Sequence, residues 1–378
     1  ILVFCFILFA FVENLPYFQA EVAEASNPDV TVTVTNFRDN PSQMNTGVTL
    51  VDSNLSSGNA TAVANAETLL GASSTYIKQH IMAWGALDPW PDPTQSGPTN
   101  WSSLDTQMQV INKVGGTPII TFAEAPWWMK GSLQSDGTTK LIPDANGEWN
   151  SYTYNSSFTD YRGITYPSGY ISPDPYAGRV LDNQMSNWVT LVQAVAQRYM
   201  AAPYNVRRFE VWNELKGYYD PIVNHWDYTT STGDTSGYNA KHGYTYLYNQ
   251  TYNALESVAH SMGVTIQVGG PYQPMDSDGN KSGMSNPGPT YSWGTIDQRD
   301  LDVISYWLQN KAGGDFLAID GGSNNKDGVW NVDEFAAGQK FTDISNWVRT
   351  QTGGATIPIE WAESVSYTHL TLPTILRV

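Results

Sequence analysis

Strand-like apolar runs alternate with amphipathic helical stretches along most of this chain, and that alternation constrains its fold more than any other feature. Strand patterns fall at residues 47–50, 76–84, 117–122, 206–213, 264–270, 316–320 and 357–362. Helical patterns lie between them, at 61–70, 101–114, 182–200, 246–262, 301–309 and 341–349. The 182–200 segment places Met185, Trp188, Val192, Val195 and Tyr199 on one face. In 246–262, Leu247, Thr251, Leu255, Val258 and Met262 align in the same way, and Gly263 closes the helix. Ser102 or Ser103 is expected to cap the 101–114 helix, which Gly115 and Gly116 end. Repeated strand–helix units imply a parallel sheet with helical crossovers. No Gly-rich nucleotide loop follows the first strand, so an α/β fold of the eight-stranded β/α (TIM) barrel type fits better than an open sheet. The count of strands predicts a barrel incomplete after strand seven, without its eighth strand.

Barrel enzymes build their sites from the loops that follow the strands. The 124–181 connection is much longer than an ordinary strand–helix loop and is rich in Trp, Tyr, Gly and Pro. It is expected to form one wall of a cleft. The 215–243 loop, with Tyr218, Tyr219, Trp226 and Tyr228, is expected to form a second.

Charged residues are only 15% of the 378, aromatics are 13%, and the formal charge is −17. Counterion release from a polyanion needs clustered Lys and Arg, which are lacking, so nucleic acid and anionic membranes are excluded as partners. An aromatic-rich, weakly charged chain suits a neutral polymer such as a carbohydrate. The apolar run from Ile1 to Val12 is too short to span a bilayer and suits the core of a signal peptide. It lacks a Met and a basic leader, so a partial signal peptide is expected over 1–23. A catalytic barrel is expected over 24–364, and a non-native tail over 365–378, whose Val365–Thr374 run resembles a translated sequencing adapter. Export would leave no membrane partner after signal cleavage. It would also remove Cys5, the one cysteine, and with it disulfides and thiolate chemistry. Asn-x-Ser/Thr sites at Asn54, Asn59, Asn100, Asn155, Asn249 and Asn280 are compatible with a secreted protein.

Two strand ends carry the candidate chemistry. Phe209-Glu210-Val211-Trp212-Asn213-Glu214 ends by presenting an amide beside a carboxylic acid. Ile357-Pro358-Ile359-Glu360-Trp361-Ala362-Glu363 delivers a second carboxylate. Cleaving a glycosidic bond needs one acid to protonate the leaving oxygen and one carboxylate to attack the anomeric carbon or activate water. Glu360 rivals Glu363, but strand alternation sends the two to opposite faces, and position at the strand's end favours Glu363. Glu124 ends the third strand and is expected to bond substrate or support structure. Glu210 lies deeper and is expected to be buried against a base such as Lys78. Trp127, Trp128, Tyr272 and Trp361 are candidate stacking platforms for sugar rings, with ordinary core filling as the alternative. No cofactor is expected. Residues 323–328 with Glu334 have the spacing of a calcium loop, but Ser323 stands where Asp is expected and a strand precedes it, so a solvated loop is the preferred reading and no metal site is assigned.

Trp212-Asn213-Glu214 and Trp361-Ala362-Glu363 resemble the strand-four and strand-seven signatures of clan A glycoside hydrolases, retaining enzymes built on β/α barrels. Within the clan the chain looks most like family 39, the β-xylosidase and iduronidase family. The stretches Tyr76-Ile77-Lys78-Gln79-His80, Asn100-Trp101-Ser102-Ser103-Leu104-Asp105, Ala125-Pro126-Trp127-Trp128-Met129 and Gly269-Gly270-Pro271 carry that likeness. The resemblance implies Glu214 as general acid/base, Glu363 as nucleophile, Asn213 as donor to the sugar 2-hydroxyl and His80 as a sugar ligand. A general acid of this kind is expected to have a raised pKa. The chain departs from the family pattern at Lys78, usually Arg; at Asp320, near a usual His; and at Ala362, usually Thr. No counterpart of the family's β-sandwich domain is expected within these 378 residues. The function implied is a secreted retaining glycosidase, first of all a β-xylosidase. The alternatives are an endo-acting β-glycanase, a non-catalytic sugar-binding barrel and an inactive gene fragment.

Overall fold

The computed structural model describes residues 46–51, 55, 58–73, 75–133, 139–140, 152–153, 158–159, 165–166, 171–172, 179–180, 182–220, 224–230, 242–322, 325–329 and 338–362. The segments expected to be a signal peptide and a non-native tail therefore lie outside the described residues, as do most of the 124–181 connection and Glu363.

The central sheet has seven parallel strands, each hydrogen-bonded to its neighbours in chain order: β1 (Gly47–Leu50), β2 (Tyr76–His80), β3 (Thr117–Phe122), β4 (Arg208–Val211), β5 (Gln267–Pro274), β6 (Phe316–Asp320) and β7 (Ile359–Ala362). Six helices make the crossovers: α1 (Ala60–Ser73), α2 (Ser102–Val114), α3 (Met185–Met200), α4 (Tyr244–Met262), α5 (Gln298–Asn310) and α6 (Gln339–Thr350). This is the strand order of a β/α barrel. Among the described residues β1 pairs only with β2, and β7 only with β6.

Two apolar layers follow from strand alternation. Outward-facing Ile77, Ile120, Phe122, Phe209 and Val211 meet the helices. There Trp188 of α3 packs on Phe122 and Trp212, and its indole donates to Thr251 of α4 at 2.8 Å. Leu191, Val192 and Val195 are fully buried in this layer, and each contributes about 1.5–3 kcal/mol of apolar burial. Tyr272, Phe316, Ala318 and Ala362 form a separate cluster on the inner face.

The inner face also holds charge. Lys78 of β2 lies 2.8 Å from Glu210 of β4 and 3.2 Å from Glu360 of β7. Arg208 reaches Glu360 at 2.7 Å and lies 3.8 Å over the Phe316 ring. Thr121 donates to Glu210 at 2.8 Å. In a flat sheet β2 and β7 would stand about 24 Å apart, at five strand spacings. A direct Lys78–Glu360 ion pair therefore requires the sheet to curl on itself.

The sequence placed the elements well and missed some of their ends. Gly115, at φ 75°, ends α2 as expected. Neither serine caps that helix: Trp101 precedes it, and Ser103 Oγ instead accepts from the Leu87 backbone N–H. β5 runs on to Pro274 through a bulge at Tyr272. Its glycines are required by close approach. A Cβ at Gly269 would meet the Phe316 ring at 2.2 Å, and one at Gly270 the Tyr244 hydroxyl at 2.6 Å. The two expected walls are joined where Arg179 donates to Asp227 at 2.5 Å, a pair fully buried against Tyr218. A third excursion, after β5, was not anticipated: Ser277–Asp278, Gly294–Asp297 and Pro287–Tyr291 make a small antiparallel sheet.

Removing one member of a buried ion cluster leaves its partners uncompensated. Lys78→Met is expected to lower the unfolding free energy by about 3–5 kcal/mol in urea denaturation. A loss below about 1 kcal/mol, the scale of a solvent-screened pair, would show that the cluster does not hold the sheet.

Candidate active site

At the C-terminal end of β4 the backbone turns sharply. Trp212, Glu214 and Leu215 have φ of 73°, 47° and 47°, a left-handed region that costs a non-glycine residue about 1–3 kcal/mol. Packing and hydrogen bonds offset this strain. The Trp212 N–H donates to the Phe122 carbonyl at 2.9 Å, its indole to the Lys216 carbonyl at 2.8 Å, and the Tyr244 hydroxyl to the Val211 carbonyl at 2.8 Å. The Lys216 N–H donates to the Asn213 carbonyl at 3.1 Å. The turn leaves Asn213 buried, with a side-chain oxygen that has no partner among the described residues, and leaves Glu214 half-buried.

Lys216 forms an ion pair with Glu214. Burial pushes the Glu214 carboxyl up, but the bonds from Asp320 and Lys216 outweigh burial and hold it below the usual carboxylate range. The raised pKa expected of a general acid is therefore not found in this structure. The correction has a local cause, two donors that stabilise the ionised form.

The other candidates separate by burial. His80 is fully buried on the inner face two residues beyond Lys78, edge-on to Tyr272 with ring centroids 6.3 Å apart. Neither ring nitrogen has a hydrogen-bond partner among the described residues. Burial first, and then the Lys78 charge, lower its pKa to about 3, so the ring is neutral. Tyr272 is fully buried, at φ 58°, with the Lys78 ammonium 4.7 Å from its ring centre. Trp128 is buried, stands edge-on to Trp90 and donates to the Trp90 carbonyl at 2.8 Å. Tyr272 and Trp128 are therefore buried as core-filling rings in this structure. Trp361 is half-buried, edge-on to Phe341 at 4.6 Å. The Trp127 side chain and Glu363 lie outside the described residues.

Glu360 is committed elsewhere. One carboxylate oxygen faces Lys78 and the other Arg208. Burial opposes its ionisation, but these two cations hold its pKa down. Burial likewise pushes Glu210 up against the pull of Lys78, while the two carboxylates raise Lys78 against the cost of its burial. Glu124 accepts from the Ala83 N–H at 3.2 Å and so ties down a turn in which Met82 and Ala83 have φ of 60° and 51°. That is a supporting role.

No group of three or more His, Cys, Asp or Glu among the described residues could hold a metal ion. In the segment with calcium-loop spacing, Asn325 accepts from the Ser277 hydroxyl and donates to the Trp293 and Val329 carbonyls. Asp327 accepts from the backbone N–H groups of Gly279, Asn280 and Val329. Both side chains are thus engaged, mainly with the excursion after β5, and Ser323, Asn324 and Glu334 lie outside the described residues. No helix of the described residues is long and apolar enough to cross a membrane.

No family model and no curated protein sequence matches the chain. Solved structures to which it is similar include a monomeric beta-xylosidase from Caulobacter crescentus CB15, at 14% identity and a TM-score of 0.46, over 86% of this chain and 52% of that one. They also include the GH39 enzyme from Xanthomonas axonopodis pv. citri, at 14% identity and a TM-score of 0.42, over 85% of this chain and 51% of that one. A bacterial orthologue of human α-L-iduronidase matches at 13% identity and a TM-score of 0.41, over 86% of this chain and 41% of that one. The chain spans about half the length of these structures.

The buried neutral His80 makes stability depend on pH. The unfolded chain takes up a proton near pH 6.5, which the folded chain refuses until about pH 3. Stability is therefore lost as pH falls through that window. Melting temperature should fall less steeply on acidification in His80→Gln than in the parent chain. Parallel profiles would show that the ring gains its proton in the fold.

Proposed function

We propose that this chain is the catalytic part of a secreted retaining glycoside hydrolase acting on a plant or microbial glycan, with a β-xylosidase as the first substrate assignment. The observation that carries this reading is the strained turn after β4. It presents the Glu214 carboxyl at the C-terminal end of a barrel strand, next to a buried Asn213 whose side-chain oxygen has no partner among the described residues. Barrel enzymes place their reacting groups at such strand ends.

In this mechanism Glu214 protonates the leaving glycosidic oxygen and later removes a proton from water. Glu363, following β7, attacks the anomeric carbon. Asn213 bonds the sugar 2-hydroxyl, a contact that strengthens in the transition state. A double displacement requires the Glu214 and Glu363 carboxyls to stand about 5–5.5 Å apart, too close for an intervening water. Glu360 lies on the inner face with both oxygens engaged by Lys78 and Arg208, so it is not assigned the attack; Glu363, three residues on, can serve only if the chain leaves regular strand alternation after Ala362. An endo-acting β-glycanase uses the same groups and is the second substrate assignment.

Hydrolysis of aryl glycosides tests the assignment. Glu214→Gln should slow substrates with poor leaving groups far more than activated aryl ones, because only the former need the proton. Added azide should then speed the activated substrates by attacking the glycosyl–enzyme without base help. Equal slowing of both substrate types would contradict the role given to Glu214.

A further inference from the structure

The turn after β4 presents a carboxyl and, two residues on, the cation that pairs with it. We propose that Lys216 is a positioning residue for the proton of Glu214: its ammonium docks on the Glu214 carboxylate in the resting protein and has to withdraw before Glu214 can carry a proton to a glycosidic oxygen. The docking itself is independent of any reaction; its consequence for turnover rests on the glycosidase reading above.

The contact is built by the backbone. The Lys216 ammonium donates to Glu214 Oε2. The Lys216 N–H donates to the Asn213 carbonyl at 3.1 Å, and the Lys216 carbonyl accepts from the Trp212 indole at 2.8 Å. The Tyr218 N–H donates to the Leu215 carbonyl at 2.9 Å, and Gly217 between them has φ of 82°. Tyr218 is itself fully buried, with the Arg179 guanidinium 4.8 Å from its ring centre. The path from Glu214 to Lys216 is therefore fixed, and only rotation of the side chains can part the two groups. Room for that rotation lies on the lysine's side, where 33% of the side chain is exposed against 23% for Glu214.

Other charges at this end of the sheet are committed. On β2, His80 is neutral and Lys78 is engaged with Glu210 and Glu360. Glu124, after β3, accepts from the Ala83 N–H. On β7, Glu360 is held by Lys78 and Arg208. On β6, Asp320 is the other ionisable group that acts on Glu214, and Lys340 of α6 donates to the Ser277 hydroxyl at 2.9 Å. Among the described residues, Lys216 is the cation that faces Glu214.

A partly exposed ion pair contributes little to stability. Its effect here falls on the charge state of a group that has to change it. An opposite charge in contact favours the ionised form, whereas a general acid has to be neutral before it acts. Lys216 thus opposes the form of Glu214 that the first step needs and favours the form that the second step needs. As the ammonium leaves, Glu214 takes a proton from solvent and an O–H bond forms. That bond breaks as the proton moves to the leaving oxygen, the glycosidic C–O bond breaks and the nucleophile bonds the anomeric carbon. Glu214 is then an anion and accepts a proton from the water that cleaves the glycosyl–enzyme. Return of that proton to solvent lets Lys216 dock again.

Carboxyl 13C NMR of the chain labelled at Glu tests the docking without turnover. In the parent protein the Glu214 midpoint should rise as sodium chloride is raised from about 0.1 M to about 1 M, because salt screens a solvent-accessible pair. In Lys216→Met it should lie about one unit above the parent's low-salt value, the lower end of the shift that an adjacent opposite charge produces, and should respond less to salt. Lys216→Arg should keep it near the parent value. Asp320 is unchanged in both variants, so the difference belongs to the cation. A parent midpoint that ignores salt would overturn the proposal even if Lys216→Met failed to fold, as would a midpoint unchanged by Lys216→Met. In turnover of unactivated glycosides, the alkaline limb of kcat/KM should move to higher pH by a similar amount in Lys216→Met, since losing the cation favours the protonated acid. With activated aryl glycosides, whose first step needs no proton, that limb should stay where it is. A shifted midpoint with an unmoved limb for unactivated glycosides would overturn the part given to Lys216 in turnover. A shifted midpoint without any glycoside cleavage would sink the glycosidase reading and leave the docking standing. Cleavage with a Glu214 midpoint that ignores both salt and Lys216→Met would do the reverse.

Discussion

The ion cluster of Lys78, Glu210, Arg208 and Glu360 is the contact on which the arrangement of this sheet depends. It joins β2, β4 and β7, which only a curled sheet can bring together. Burying charge is costly unless every member is matched. Here the two cations and two carboxylates balance, and Thr121 and the Phe316 ring supply further contacts. The cluster occupies the inner face, with the apolar Tyr272, Phe316, Ala318 and Ala362 beside it. Any shift of β7 relative to β2 would leave Glu360 without its cations, so the cluster penalises flattening of the sheet.

The same cluster shapes the chemistry above it. By holding Glu360, it removes one of the two carboxylates that β7 could offer a substrate. Through its charge and the surrounding burial, it keeps His80 neutral. Beyond it, the left-handed turn after β4 lifts Glu214 out of the strand's regular alternation. A regular strand would not have placed an amide and an acid side by side at the same mouth. The strain in that turn is localised where the candidate chemistry lies, which is the pattern expected when backbone energy is used to position a reacting group.

Much of this was legible in the sequence because barrel strands and crossover helices carry strong periodicity. The seven strand positions and the six helices followed from alternation and spacing, and the expected burial of Glu210 against a base such as Lys78 is met by Lys78 itself. The rest depended on contacts between distant segments. The extension of β5 was hidden by Gly269-Gly270-Pro271, which looks like a strand end until the Phe316 ring and the Tyr244 hydroxyl are seen to crowd both glycines. The antiparallel sheet after β5 is built from short polar strands whose pairing leaves no periodic trace. Trp128 and Tyr272 had the composition of sugar platforms, and their burial came from neighbours that the local sequence does not specify. Asp320 stood out only as a departure from a family pattern.

The proposed mechanism turns on a division between two carboxylates near the end of β7, with Glu360 held as a structural anion by Lys78 and Arg208 and Glu363 proposed to attack the sugar. Incubation with an activated 2-deoxy-2-fluoro-β-xyloside, followed by peptide mass mapping, tests that division most directly, since the fluorine slows release of the glycosyl–enzyme and leaves the sugar on the nucleophile. The account predicts a fluorosugar ester on Glu363 and none on Glu360. A label on Glu360, or turnover of the reagent with no covalent adduct, would contradict it.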